Sequence, residues 1–160
     1  MFFFNEKVDA KYEKLFFELS IKNINGEELD LGQFKGKTIL LVNVASKCGF
    51  TKQYTQLQEA STSEGVTVVG FPCNQFGAQE QGTHQEICDF TSAEYDVTFP
   101  LMAKLEVKGD HQHPLFTELS QSTGTDEHTG DIRWNFEKFL ISKEGTVSRF
   151  SSRDLPSDML

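Results

Sequence analysis

The chain has few cysteines and no long apolar run, and these two scarcities exclude several classes of protein. Cys48, Cys73 and Cys88 show neither a CxxC spacing nor a Cys/His cluster, which argues against a structural zinc site and a disulfide framework. No apolar run approaches the roughly 20 residues that cross a bilayer. The opening MFFFNEKVDAKYEK has only four leading apolar residues before charges begin, unlike a secretory signal. We therefore expect a cytoplasmic protein with no membrane insertion and no metal.

Basic side chains are also outnumbered. The chain has 24 acidic and 15 basic residues, and its formal net charge is −9. This balance argues against nucleic acid and anionic lipid surfaces as main partners. A length of 160 residues is enough for one domain with a real core, so residues 1–160 are expected to form a single domain. The 15 phenylalanines predict an aromatic interior.

What the chain does have is an alternation of apolar strands and helical patterns. Residues 38–45 and 66–71 are continuous apolar runs, typical of strands that are covered on both faces of a sheet. Residues 51–60 and 83–95 have apolar positions at helical spacing, so each run is followed by a predicted helix. This order favours parallel strands with helical connections.

Hairpins are expected at both ends of this core. Residues 15–34 contain Asn25-Gly26, whose backbone preferences suit a tight turn between two strands. A third helix is predicted at residues 114–120, before a closing hairpin of strands 136–142 and 146–150. The fold class is therefore α/β: a mixed central β-sheet flanked by helices with an N-terminal β-hairpin, as in the thioredoxin-like fold.

Cys48 directly follows the most apolar strand, within the segment NVASKCGFT at residues 43–51. Ligands bind at the carboxyl ends of parallel strands in α/β sheets. A helix that starts there supplies unpaired N–H groups and a positive dipole end, and both favour the thiolate form that a nucleophilic sulfur needs. From position alone, a reactive cysteine and a buried structural cysteine are both compatible with this segment.

Two later segments carry hydrogen-bond donors to the same predicted edge. GFPCNQFGAQE, residues 70–80, leaves the neighbouring strand and includes Gln79 among several amides. RWNFEKFLI, residues 133–141, places Trp134 and Asn135 just before a strand. Taken separately, the first could be an ordinary polar turn and the tryptophan could belong to the core.

Taken together, these segments resemble three motifs of the glutathione peroxidase family, in the same order: NVASKCGFT, GFPCNQFGAQE and WNFEKFLI. The resemblance extends from about residue 17 to residue 150. It implies a thioredoxin-like fold and thiol-dependent reduction of hydrogen peroxide and organic or lipid hydroperoxides to water or alcohol, without a metal or organic cofactor. By the same resemblance, Cys48 is the peroxidatic residue and forms a sulfenic acid. Gln79, Trp134 and Asn135 are then the polar groups around it.

The chain departs from the family at the position of the second cysteine. The polar segment at residues 122–132 is short, which resembles the monomeric members; their cysteine-based forms use a resolving cysteine and are recycled by thioredoxin. Here Thr91 occupies the usual resolving position. Cys88, three residues earlier on the same helical face, is the candidate resolving residue, whereas Cys73 is expected to be structural. If neither cysteine resolves Cys48, a small thiol such as glutathione must reduce it.

The same sulfur chemistry is compatible with a second function. A peroxide sensor would use Cys48 in the same first step and relay the oxidation to a partner protein by disulfide exchange. A binding module without chemistry is a third hypothesis, but it would have no use for the set Cys48, Gln79, Trp134 and Asn135. The leading interpretation is a peroxidase enzyme.

Overall fold

The described part of the chain begins with an antiparallel hairpin. The computed structural model describes residues 19–63 and 65–160. Its first two strands are β1 (Ser20–Lys22) and β2 (Glu28–Asp30). Gly26 in the connecting turn has a φ of 85°, which glycine adopts without strain. The predicted N-terminal hairpin is confirmed here, and the part of that prediction before residue 19 lies outside the described residues.

Four further strands form the central sheet: β3 (Thr38–Val44), β4 (Val66–Pro72), β5 (Lys138–Ile141) and β6 (Val147–Phe150). Their order across the sheet is β4-β3-β5-β6. Strands β3 and β4 are parallel, whereas β5 is antiparallel to both of its neighbours. The predicted mixed sheet is therefore confirmed, and its most apolar strand, β3, is central.

Within the described residues, three α-helices flank this sheet: α1 (Tyr54–Ser61), α2 (His84–Tyr95) and α3 (Pro114–Leu119). The N-terminus of α2 has a complete capping box, in which the Thr83 hydroxyl accepts from Glu86 N–H and the Glu86 carboxylate accepts from Thr83 N–H. The N-terminus of α3 is capped by His113, whose Nδ1 accepts from Leu115 N–H. No helix in the described ranges is long and apolar enough to cross a membrane.

Two apolar clusters lie on opposite faces of the sheet, because successive side chains of a strand alternate between its faces. The first cluster includes Leu41 from β3 and Phe116 from α3. The second includes Leu40 from β3, Leu57 from α1 and Ile87 from α2. Each fully buried side chain of this size contributes on the order of 1.5–3 kcal/mol. These clusters fix the helices, and thereby the loops at the strand ends.

The segment before β5 differs from its prediction. A strand was predicted from residue 136, but β5 begins at Lys138 because Phe136 has a φ of 63°. This is the left-handed region, which strand residues do not adopt. The bend is held by Asn43 of β3, whose backbone oxygen accepts from Phe136 N–H at 2.7 Å and whose Oδ1 accepts from Glu137 N–H at 3.1 Å.

Candidate active site

Three loops meet at one edge of the central sheet. Residues 45–50 follow β3 and residues 73–81 follow the parallel strand β4. Residues 133–137 precede β5, which is antiparallel to β3 and therefore starts at the same edge. The three segments singled out in the sequence are thus neighbours in space.

Cys48 is a free, half-buried thiol whose surroundings are built by its own loop. Phe50 N–H donates to Cys48 Sγ at 3.3 Å. The hydroxyl of Thr51 closes the loop, because it accepts from Cys48 N–H at 2.9 Å and donates to Ala45 O at 2.8 Å. An N–H group directed at sulfur supports negative charge there.

The helix after Cys48 starts later than the sequence suggested. A 3₁₀ turn at Thr51–Gln53 intervenes, and α1 begins only at Tyr54. The donor that reaches the sulfur is therefore a loop N–H from Phe50 rather than the first turn of an α-helix. Thr51, which is buried, was not recognised as the residue that closes this loop. Its position three residues after Cys48 was the only available signal.

Asn135 and Gln79 are in direct contact. Asn135 is completely buried, and its Nδ2 donates to Gln79 Oε1 at 3.0 Å and to Phe76 O at 3.3 Å. Gln79 is half-buried, and this bond occupies its side-chain oxygen. The amide NH₂ of Gln79 is left as the end that can donate to a bound molecule.

Trp134 lies over the loop that carries Gln79. Its ring packs against Phe76 with the two centroids 5.9 Å apart, and 36% of the residue is exposed. Gly77 passes beneath it with a φ of 66°, where an added Cβ would come within 3.1 Å of Trp134 Cη2. The glycine therefore permits the close approach of indole ring and loop.

Asn43 of β3 holds the loop at residues 133–137 in place, a role that was not predicted. Its Nδ2 donates to Trp134 O at 3.0 Å, in addition to its two bonds at Phe136 and Glu137. Asn43 is 1% exposed. The signal in the sequence was a single amide within the apolar run of β3, which is also the first residue of the segment NVASKCGFT that contains Cys48.

The loop of Cys48 is tied to the loop of Gln79 by main-chain contact. Lys47 N–H donates to Gln79 O at 3.0 Å, so residues adjacent to the sulfur and to the amide are fixed together. The structure therefore places Gln79 and Asn135 in contact, sets Trp134 over the same loop, and joins Cys48 to this group through the backbone.

The other two cysteines lie in different places. Cys88 is half-buried on α2 and packs against the second apolar cluster, as Cys48 does. Burial, with a smaller effect of the charge on Asp89, raises the pKa of the Cys88 thiol. Thr91 is 2% exposed, and its hydroxyl donates to Ile87 O at 2.9 Å within the helix.

Cys73 is fully buried in the first cluster, on the opposite face of the sheet from Cys48. Its thiol donates to Gln75 Oε1 at 3.4 Å, and burial raises its pKa. A disulfide between Cys73 and Cys48 would require sulfur atoms on opposite faces of the sheet to come within about 2.05 Å. The placement is typical of a structural cysteine.

Comparison with known proteins identifies close relatives. The family model described as "Glutathione peroxidase" matches residues 16–120. The glutathione peroxidase-like peroxiredoxin HYR1 of Saccharomyces cerevisiae is 46% identical over 149 residues, which are 90% of this chain and 91% of the yeast protein. The thioredoxin/glutathione peroxidase BtuE of Escherichia coli is 42% identical, over 86% of this chain and 88% of that protein.

Solved structures show the same architecture. The crystal structure of T. cruzi GPX1 superposes with a TM-score of 0.70 at 32% identity, covering 90% of each chain. A thioredoxin family protein from Chlorobium tepidum superposes with a TM-score of 0.61 at 18% identity, covering 88% of this chain and 86% of its own. The second likeness concerns the fold alone. The predicted thioredoxin-like fold is confirmed.

Proposed function

Because the chain belongs to the glutathione peroxidase family and is a thiol-dependent peroxidase, we propose that Cys48 is the sulfur that reacts with peroxide. The observation that carries this proposal is the bond from Phe50 N–H to Cys48 Sγ, at the loop edge where Gln79 and Trp134 also lie. Because Cys48 is only partly buried, we propose that peroxide reaches its sulfur, and the N–H donor supports negative charge there.

In the first step, the Cys48 thiolate attacks one oxygen of the peroxide. A sulfur–oxygen bond forms while the oxygen–oxygen bond breaks, so the sulfur loses two electrons and becomes a sulfenic acid. The departing oxygen takes a proton and leaves as water or an alcohol. The NH₂ group of Gln79 and the indole N–H of Trp134 are neutral donors that stabilise the charge developing on this oxygen.

Asn135 acts on Gln79 in this proposal. Its bond to Gln79 Oε1 fixes the orientation of this amide and leaves the NH₂ group as the end that can donate to peroxide. Because Asn135 is completely buried and also bonded to Phe76 O, it holds this orientation before peroxide arrives. Fixed donors cost no reorganisation during the reaction, which is why such groups contribute strongly to rate.

Regeneration of Cys48 needs a thiol, and we propose thioredoxin or glutathione. Attack of a thiol on the sulfenic acid releases water and forms a disulfide, which a second thiol then reduces. Cys88 is the proposed resolving residue, because it packs on the same apolar cluster as Cys48. It lies one turn inside α2, so this helix must open at its first turns before the sulfur atoms can bond.

Three further features belong to the proposal. Residues 1–160 act as a single domain, and the short segment at residues 122–132 is what suggests a monomer. The sequence has three cysteines without a CxxC spacing, which favours a reducing compartment, and we propose a cytoplasmic location. Hydrogen peroxide and organic hydroperoxides are the proposed substrates.

The assay that tests the function compares two reductants on one preparation. Consumption of hydrogen peroxide and of an organic hydroperoxide is followed at steady state with thioredoxin and its reductase, and separately with glutathione. Sustained turnover with at least one reductant is expected. A single stoichiometric oxidation of Cys48, with no turnover under either condition, would contradict an autonomous peroxidase and favour relay to a partner protein.

A further inference from the structure

Glu80 connects the loop that carries Cys48 to the loop that carries Gln79. Its Oε1 accepts from Ser46 N–H at 2.9 Å, two residues before Cys48. Its own N–H donates to Asn74 Oδ1 at 2.9 Å, which holds the residue within the loop that follows β4. With the adjacent bond between Lys47 N–H and Gln79 O, two consecutive residues of one loop are tied to two consecutive residues of the other.

The setting of this side chain is unusual for a carboxyl group. Glu80 is 0% exposed, and its Oε2 has no hydrogen-bond partner in the described part of the chain. The nearby ammonium group of Lys104 donates to Gly82 O at 2.7 Å and makes no ion pair with Glu80 among the described contacts. Buried acids without a paired charge are rare, because desolvation disfavours the ionised form.

Burial accordingly raises the pKa of Glu80, and the hydrogen bonding of Ser46 to this carboxyl group, followed by the more distant charge of Lys104, offsets this only in part. A carboxyl group kept in such a place carries a cost in stability that a neutral residue would avoid. The hydrogen bond from Ser46 N–H to Glu80 suggests that the carboxyl group is kept, despite this loss of stability, because it holds the loop of Cys48 in place.

We propose that Glu80 is a positioning residue of the peroxidase reaction, whose buried carboxyl oxygen fixes the loop of Cys48 against the loop of Gln79. The inference rests on the proposed roles of Cys48 and Gln79. It requires an acceptor atom at the position of Oε1, and it does not require negative charge. Chemistry and shape at this position can therefore be separated by substitution.

Three substitutions of Glu80 separate the effect of its acceptor oxygen from the effects of its charge and its length. Glu80→Gln keeps an acceptor oxygen on a side chain of the same length. Glu80→Asp keeps the carboxyl group but withdraws it by one methylene, and Glu80→Ala removes the acceptor altogether. Glu94, which is exposed on α2, supplies the matched control Glu94→Ala.

The reduced proteins are mixed rapidly with hydrogen peroxide, and the fluorescence of Trp134, the only tryptophan, reports the reaction.

The rate constant, corrected for the folded fraction from urea unfolding, should fall roughly 10- to 100-fold in Glu80→Ala, since small misplacements cost about this much. Glu80→Gln should stay within about threefold of the parent and Glu80→Asp should resemble Glu80→Ala. If Glu80→Ala does not fold, the comparison of the other two variants decides alone, and Glu80→Gln should react faster than Glu80→Asp. A Glu80→Asp variant as fast as the parent, or a Glu80→Gln variant as slow as Glu80→Asp, overturns the proposal.

Cys48→Ser in the same experiment separates this inference from the function on which it rests. A reactive Cys48→Ser variant would reject the role of Cys48, whatever the Glu80 variants do. An unreactive Cys48→Ser variant beside unaffected Glu80 variants would reject only the positioning role.

Discussion

Asn135 Nδ2 lies 3.0 Å from Gln79 Oε1, so side chains from loops on either side of the central strand β3 share one hydrogen bond. The two residues are 56 positions apart in the chain. Their contact orients the Gln79 amide, which in our account is the group that donates to peroxide. The pair should therefore behave as one unit in kinetics.

Gln79→Ala should slow the reaction of the reduced protein with peroxide by roughly 10²–10³, the usual effect of losing one fixed donor to developing charge. Asn135→Ala should have a smaller effect, since it frees the amide without removing it. The double variant should be about as slow as Gln79→Ala alone, because both changes act through one group. Rapid-mixing kinetics measure all three, with Asn25→Ala in the exposed turn as the control. If the rate reductions of the two single variants multiply in the double variant, Asn135 does not act through Gln79 and the prediction is wrong.

Trp134→Phe should lower the rate because it removes the indole N–H while an aromatic ring still packs on Phe76. More than a third of Trp134 is exposed, so the effect should be smaller than the roughly 10²–10³ of a water-excluded donor. Loss of free thiol is the readout, since this variant has no tryptophan fluorescence. If Trp134→Phe reacts with peroxide as fast as the parent, the indole N–H makes no contribution to the reaction and Trp134 serves only in packing.

One equivalent of peroxide should produce a Cys48–Cys88 disulfide in part of the molecules, which peptide mass mapping without reductant detects. Cys88→Ser should then weaken turnover driven by thioredoxin, whereas Cys73→Ala should not, because Cys73 lies in the other apolar cluster. Opening the first turns of α2 costs its capping box, typically about 1 kcal/mol, and the burial of Ile87 in the second cluster, on the order of 1.5–3 kcal/mol, so a minor population of molecules can reach this state. If mass mapping finds only a sulfenic acid on Cys48, or only a mixed disulfide between Cys48 and added glutathione, the Cys48–Cys88 disulfide is rejected. An external thiol would then be the direct reductant of Cys48.

The stability of the protein should depend on pH through Glu80. Burial raises the pKa of this carboxyl group, so above about pH 4.5 the folded state retains a proton that the unfolded state has released. The free energy of unfolding should therefore fall as pH rises from there to the folded pKa, by at most about 1.4 kcal/mol per pH unit. Glu80→Gln lacks this dependence, so its stability relative to the parent should increase with pH. Urea unfolding of both proteins across this range measures the difference, and a constant difference would contradict the assignment.

The residues of the site were predictable from the sequence to different degrees. Cys48, Gln79, Trp134 and Asn135 stand in recognisable motifs, and the positions of the strands follow from apolar runs such as residues 38–45. The contacts between them were not predictable, because hydrogen bonds such as that of Asn43 to Trp134 join residues 91 positions apart. The local backbone geometry was not predictable either, because the positive φ of Phe136 is accompanied by a hydrogen bond from its N–H to Asn43 on strand β3.

The central claim is that the sulfur of Cys48 carries the reaction with peroxide, and replacing this one atom tests it most directly. Cys48→Ser and the parent are treated with one equivalent of peroxide in the presence of a diketone that labels sulfenic acids, and peptide masses are recorded. We expect the parent to be labelled at Cys48, and the variant to keep its fold by circular dichroism while losing both the label and peroxide consumption. A folded Cys48→Ser variant that still consumes peroxide near the parental rate, or a parent labelled only at Cys73 or Cys88, would contradict the account.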